Sequence, residues 1–167
     1  MAKKKTLDTT AIIFIGIAVL GLILSIVGMF TPWLVNVEAE FAEGLFSKGL
    51  TNVQEMSDKL GLEFFPIGVV RTFGIIALIC AVVATALVIL EKFGIFKIEG
   101  LIKLIVAVGV IAVAVLLLVF AIVYITDINN YMTKIGTPAK YLYNMGIAMF
   151  LLPIGTAGSG VAYLLNK

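Results

Sequence analysis

The sequence predicts an all-α membrane protein. Four transmembrane helices form a left-handed bundle, and a small ordered extracytoplasmic cap, a strand plus a short helix, lies between helices one and two. Three observations predict this. Of 167 residues, 62% are hydrophobic and 13% charged, with a mean hydropathy of +1.17, where a soluble domain carries about 25% charged residues. The apolar residues fall in four long runs. Between the first two runs lies a segment of different character, "TPWLVNVEAEFAEGLFSKGL" at 31–50, which holds the only tryptophan and three glutamates. A chain this short has too little interior to bury so much apolar surface from water, so lipid is its solvent.

The four runs cover about Thr10–Phe30, Ile67–Leu90, Leu101–Ile125 and Tyr141–Leu165. Each is long enough for a hydrocarbon core of about 30 Å. None carries a charge in its central turns, and none alternates as a lipid-facing strand would. The chain therefore reads as one four-span domain over 1–167, with the cap at 31–66.

Charge placement orients it. Lys3, Lys4 and Lys5 precede span one; Glu91, Lys92, Lys97, Glu99 and Lys103 surround the link between spans two and three; Lys167 follows span four, so these ends hold most of the lysines. The 31–66 segment sets Lys48 and Lys59 against Glu38, Glu40, Glu43, Glu55, Asp58 and Glu63. The positive-inside bias puts both termini in the cytoplasm and the cap outside, in a plasma or cytoplasmic membrane. Span one is longer than a signal-peptide core and lacks an A-x-A site, so it reads as a retained anchor. In the link "EKFGIFKIEG", Phe93, Ile95, Phe96 and Ile98 are expected in the interface with the charges facing water. Beyond span three, "TDINNYMTKIGTPAK" forms the second outer link, and Tyr124, Tyr131, Tyr141 and Tyr143 form an aromatic belt at that boundary.

Helices in lipid associate through close packing, which small residues permit. Span one carries Ala11, Ala18, Gly21, Ser25 and Gly28; span two carries Gly74, Ala77, Ala81 and Ala84; span three carries Ala107, Ala114 and Ala121; span four carries Ala148, Gly155, Ser159 and Ala162. The seven-residue step recurs in all four, as a packing stripe of heptad type does. The alternative is that Ala and Gly are simply common in membrane helices. Pro153 removes one hydrogen bond inside span four and loosens it.

The residues exclude several chemistries. There is no histidine, and the single cysteine, Cys80, lies in an apolar run, so no zinc, copper or iron–sulfur site and no intrachain disulfide is expected. No ionisable group sits at mid-membrane, where pumps and proton relays need one. "GTAGSG" at 155–160 looks like a phosphate loop but lies inside an apolar span with no following lysine, and reads as packing glycines. Arg71 and Asp127 fall at similar depth near the outer boundary and can pair across the bundle; alternatively Arg71 reaches the headgroups alone. No enzyme activity, cofactor, nucleic-acid partner or small-molecule substrate is expected.

In the cap, Trp33, Val35, Val37, Ala39 and Phe41 alternate with Asn36, Glu38 and Glu40, which predicts a half-buried strand with its glutamates in water. A divalent cation or basic partner is the other reading of those glutamates. "TNVQEMSDKLG" predicts a short helix capped by Thr51, with Gln54 completing a capping box, Gly61 at its stop, and Val53, Met56 and Leu60 on one side.

Four spans, cytoplasmic ends, a large first outer loop with Trp33 after span one, Gly44-Leu45-Phe46, and Arg71 at the outer end of span two resemble the claudin and peripheral-myelin-protein tetraspans. Claudins carry Trp…Gly-Leu-Trp…Cys…Cys in that loop. Here Phe46 replaces the second Trp, both loop cysteines are absent and the loop is shorter. The resemblance implies a structural tetraspan that builds assemblies through its outer loop and lateral helix faces. Within the loop, Trp33, Glu38, Glu40, Glu43, Gly44, Leu45 and Phe46 are the cap residues and the candidate surface for a partner. It does not bring paracellular barrier function, whose disulfide-braced sheet has no counterpart. Two other readings stand beside it: an accessory subunit packed against a larger membrane complex, and an independent channel or carrier, which lacks the paired broken helices such proteins use.

Overall fold

The computed structural model describes residues 9–36, 42–59, 61–62 and 64–166. Helices α1 (Thr9–Phe30), α3 (Ile67–Lys92), α4 (Gly100–Lys134) and α5 (Ala148–Leu165) are long and apolar enough to cross a membrane. They define a mostly helical, multi-pass membrane protein. A small cap at one end combines helix α2 (Lys48–Lys59) with strands β1 (Pro32–Asn36), β2 (Ala42–Gly44) and β3 (Tyr143–Met145).

Helix α5 is the centre of the bundle and packs against α1, α3 and α4. It is 56% buried along its apolar window, against 28–33% for the others. Its sequence explains this position, because its small residues let backbones come close. A Cβ on Gly21 would lie 2.6 Å from the Gly155 carbonyl oxygen, and one on Gly155 would strike the Gly21 carbonyl oxygen in return. A Cβ on Gly28 would strike the Leu152 backbone. Ala11, Ala18, Ser25, Gly74, Ala77, Ala81, Ala84, Ala107, Ala114, Ala121, Ala148, Ser159 and Ala162 are likewise buried.

Close approach brings hydroxyls within reach of facing carbonyls. Thr85 donates to the Ala18 oxygen at 3.0 Å and Ser159 to the same oxygen at 3.2 Å. Thr156 donates to the Ala77 oxygen at 3.2 Å, and its hydroxyl lies 3.3 Å from that of Ser25. These contacts tie α1, α3 and α5 together, each contributing about 0.6–2 kcal/mol in a membrane setting.

Several boundaries differ from the sequence expectation. Helix α4 runs on past Ile125 to Lys134, about 52 Å at 1.5 Å per residue, which is longer than a hydrocarbon core of about 30 Å is thick. It stops where Gly136 adopts φ +76, with the Thr137 amide bonded to the Met132 carbonyl and the Gly136 amide to that of Thr133. This Schellman closure needs a residue tolerant of the left-handed region. Helix α5 begins at Ala148, not Tyr141, because residues 143–145 leave the helical run to join the sheet.

At the end opposite the cap, the charges do not all face water. The Glu91 and Lys103 side chains are 4% and 15% exposed and form an ion pair at 2.8 Å. Asn166 donates to the same Glu91 oxygen at 2.7 Å, and Lys103 also bonds the Asn166 carbonyl. Burial between three helix ends overrides the preference of these charges for solvent because each finds a charged or polar partner.

Candidate functional site: the cap and its attachment

The cap sheet has the order β2-β1-β3, antiparallel throughout. Strand β1 follows α1 directly, and its register slips between Pro32 and Leu34. This bulge corrects the expected alternation. Trp33 and Leu34 are both buried, Val35 is half-buried, and Asn36 is buried rather than wet. One extra residue at Trp33 moves every later side chain to the opposite face. Val37 to Phe41, with Glu38 and Glu40, lie outside the described residues, as do Lys3–Lys5, Leu60, Glu63 and Lys167.

Trp33 is held at both ends. Its ring is buried in the apolar cluster beneath the cap, and its indole N–H donates to the Gly28 carbonyl at 2.7 Å. That carbonyl belongs to the last turn of α1, which has no helical donor left to meet it. Leu45 is buried over α3 where Gly74 leaves room: a Cβ there would lie 2.7 Å from Leu45 Cδ2. Between Trp33, Leu45 and Tyr124 remains an apolar void of about 10 Å³, at the size limit for a single water and without the polar partners one needs. The underside of the cap is thus packing rather than a ligand pocket.

Arg71 and Asp127 do not pair with each other. Arg71 donates to the carbonyls of Leu45 and Ser47 at 2.8 and 2.9 Å and to the Thr51 hydroxyl at 3.0 Å. It thereby grips the chain on both sides of Phe46, whose side chain stays exposed. Asp127 accepts the Phe65 amide at 3.0 Å, just before α3, and borders an open groove of about 280 Å³ with Phe64, Tyr131 and Lys134. The guanidinium thus directs three of its N–H groups at two main-chain carbonyls and a hydroxyl, which fixes the backbone of this loop.

We expect Arg71→Ala to speed amide exchange across residues 45–51, and Arg71→Lys not to restore it, since a point charge cannot fork to three acceptors. Combined with Asp127→Ala, the stability losses should add, because the two side chains share no partner. Coupling above about 0.5 kcal/mol in a double-mutant cycle would contradict this assignment.

Helix α2 starts one turn earlier than expected. Ser47, not Thr51, is the N-cap, with its Oγ 3.5 Å from the Leu50 amide. Thr51 serves Arg71, and Gln54 accepts the Ile67 amide at 3.3 Å, joining α2 to the first turn of α3. Gly61 adopts φ +67 just beyond the helix. Glu43 is not a free surface carboxylate. It is half-buried, and its carboxylate fills the space a Cβ on Gly49 would take, at the start of α2. Negative charge is favourable there.

Three attachments differ from the sequence expectation, and Tyr124, expected in the aromatic belt, is buried. The Tyr124 hydroxyl donates to the Leu50 carbonyl at 3.3 Å. The Asn129 amide makes two bonds to Tyr143, donating to its carbonyl at 2.8 Å and accepting its N–H at 2.9 Å. Gly146 lets β3 lie against the Pro32 and Trp33 backbone. Burial, with the Glu43 charge as a lesser cause, holds the Tyr143 phenol above its ordinary pKa near 10. A raised folded pKa means stability that is complete below the unfolded value and lost as pH climbs through the folded one. The cap should therefore loosen at pH above about 10, and Tyr143→Phe should reduce that loss. The measurement is protease cleavage of residues 31–66 across an alkaline series.

Among the described residues no cluster of three or more His, Cys, Asp or Glu could hold a metal ion. Comparison with protein-family models, with curated proteins and with solved structures finds no match to this chain.

Proposed function

We propose that this chain is a non-enzymatic structural membrane protein of claudin-like architecture. The cap lies outside and both ends in the cytoplasm. The protein assembles with copies of itself laterally, through the cap, or both. The observation that carries this reading is the clamp of Arg71 on both sides of Phe46, with Trp33 and Leu45 buried beneath. These are the positions of the Trp, Gly-Leu-aromatic and Arg resemblance. Such a clamp fixes the cap as a rigid display rather than a tether, and rigid display lowers the ordering cost of association. The charge asymmetry between the two ends supports the orientation.

The accessory-subunit reading keeps support from Gly16 and Gly109, where an added Cβ would meet nothing within 4 Å, which leaves room for a foreign helix. Purification in mild detergent separates the two. Self-oligomers alone support the tetraspan, and stoichiometric foreign subunits support the accessory role. Orientation has its own test in a Cys80→Ala background. Asn52→Cys, exposed on α2, should react with an impermeant maleimide on intact cells, and Lys97→Cys only after permeabilisation. The reverse pattern would invert the topology.

A further inference from the structure

We propose that the α3–α4 connection is a pre-shaped apolar wedge seated in the lipid of the leaflet opposite the cap, with Glu91 as its positioning residue. The lipid it takes is a phospholipid interface irrespective of headgroup charge. This rests on the reading that the four helices cross a bilayer, and it goes beyond the assembly role proposed above.

The wedge is ordered by its backbone. Helix α3 closes on Gly94 at φ +70, with the Ile95 amide bonded to the Leu90 carbonyl and the Gly94 amide to that of Glu91. In a Schellman closure, the residue at the Ile95 position normally folds its side chain back onto the last helical turn. Here Ile95 is instead 72% exposed, flanked by Phe93 at 55% and Phe96 at 51%. Further along, the Ile98 amide donates to Glu91 Oε1 at 3.3 Å. Glu91 is itself fixed through its other oxygen by Lys103 and Asn166. The buried carboxylate thus holds both ends of the connection, and three large apolar side chains project from it.

Depth and continuity identify the occupant. Along α3, Glu91 lies about 30 Å from Arg71 at 1.5 Å per residue, the thickness of a hydrocarbon core. If Arg71 marks one boundary, residues 93–96 emerge at the other. The exposed wedge also continues into Leu101, Ile102 and Ile105, exposed on the spanning helix α4. Nearby charges are largely spoken for: Lys97 pairs with Glu99, and Lys103 with Glu91. Apolar insertion, rather than attraction to anionic lipid, is the driving term.

The test places single tryptophans in a Trp33→Phe background, reconstituted in phosphatidylcholine vesicles with bromines at graded depths. Ile79→Trp, exposed mid-way along α3, reports the membrane itself and should be quenched most by deep bromines. If it is not, the membrane reading fails. Phe96→Trp should be quenched about twofold more by shallow than by deep bromines, resist iodide, and behave alike when phosphatidylglycerol is added. With Ile79→Trp as expected, three outcomes would each overturn the wedge: free quenching of Phe96→Trp by iodide, dependence on anionic lipid, or shielding from both iodide and bromines, which means a protein covers it.

Adding Glu91→Ala should lower shallow quenching of Phe96→Trp and raise iodide access while the Ile79→Trp profile holds. Glu91→Gln keeps one acceptor for the Ile98 amide but turns an NH2 toward the Lys103 and Asn166 donors, so its depth should fall between wild type and Glu91→Ala. An unchanged depth in Glu91→Ala would remove Glu91 from the positioning role. If Trp33→Phe lowers yield, a spin label on Phe96→Cys in Cys80→Ala gives the same depth from oxygen against nickel-chelate accessibility.

Discussion

Gly155→Leu will drive α1 away from α5 and cost the bundle about 3 kcal/mol or more, at the upper end of overpacking effects. The cause is local and backbone-bound. A Cβ at residue 155 would strike the Gly21 carbonyl oxygen and lie 2.6 Å from the Ser25 nitrogen, and neither can move without shifting a helix. Separation also breaks the Ser159 and Thr85 bonds to the Ala18 carbonyl. Gly155→Ala should fall in the same direction with a smaller loss. Gly158→Leu on the same helix is the control, because nothing lies within 4 Å of its Cβ direction, and its effect should stay within about 0.5 kcal/mol. Unfolding in mixed detergent micelles gives these differences; equal losses for residues 155 and 158 would refute the close-crossing account.

Trp33→Ala should detach the cap and leave the bundle standing. Removing a buried indole costs about 3–5 kcal/mol, and here it also frees the Gly28 carbonyl. That energy is concentrated between β1 and the ends of α1, α3 and α4, whereas the hydroxyl contacts of Ser25, Thr85, Thr156 and Ser159 lie deeper in the bundle. The expected result is rapid protease cleavage within 31–66 with unchanged helix content. Wild-type protease resistance would remove Trp33 from the capping role. Trp33→Phe should be intermediate, keeping the ring contact and losing the hydrogen bond.

The helices were legible because two strong regularities coincide in this sequence. Long apolar runs set the elements, and small residues at heptad spacing occupy the faces the helices bury, as Gly21, Ala77 and Gly155 do. The cap was less legible, for three physical reasons. Alternation from Trp33 onward assumes an unbroken register, and a one-residue bulge inverts it. Strand β3 is three residues long and lies within an apolar stretch that continues into α5, so it has no period of its own. Two of the three Arg71 partners are main-chain carbonyls, which leave no trace in residue identity, whereas Asp127 offers a charge that residue identity does show. At the other end, Glu91 and Lys103 read as linker charges because only the fold brings Asn166 to them.

The Asn129 side chain carries a further consequence for the self-assembly proposed above. By occupying both main-chain groups of Tyr143 on the side facing away from β1, it acts as a short false strand, and α4 stands along that flank. A covered edge does not accept a new strand. Among the described residues, the remaining edge is β2. A sheet open on one flank alone can mate once and then has no flank left, so strand-to-strand joining of caps would terminate at a pair. Longer arrays would have to propagate through the lipid-facing sides of the helices, making chain length a property of the membrane plane and not of the cap.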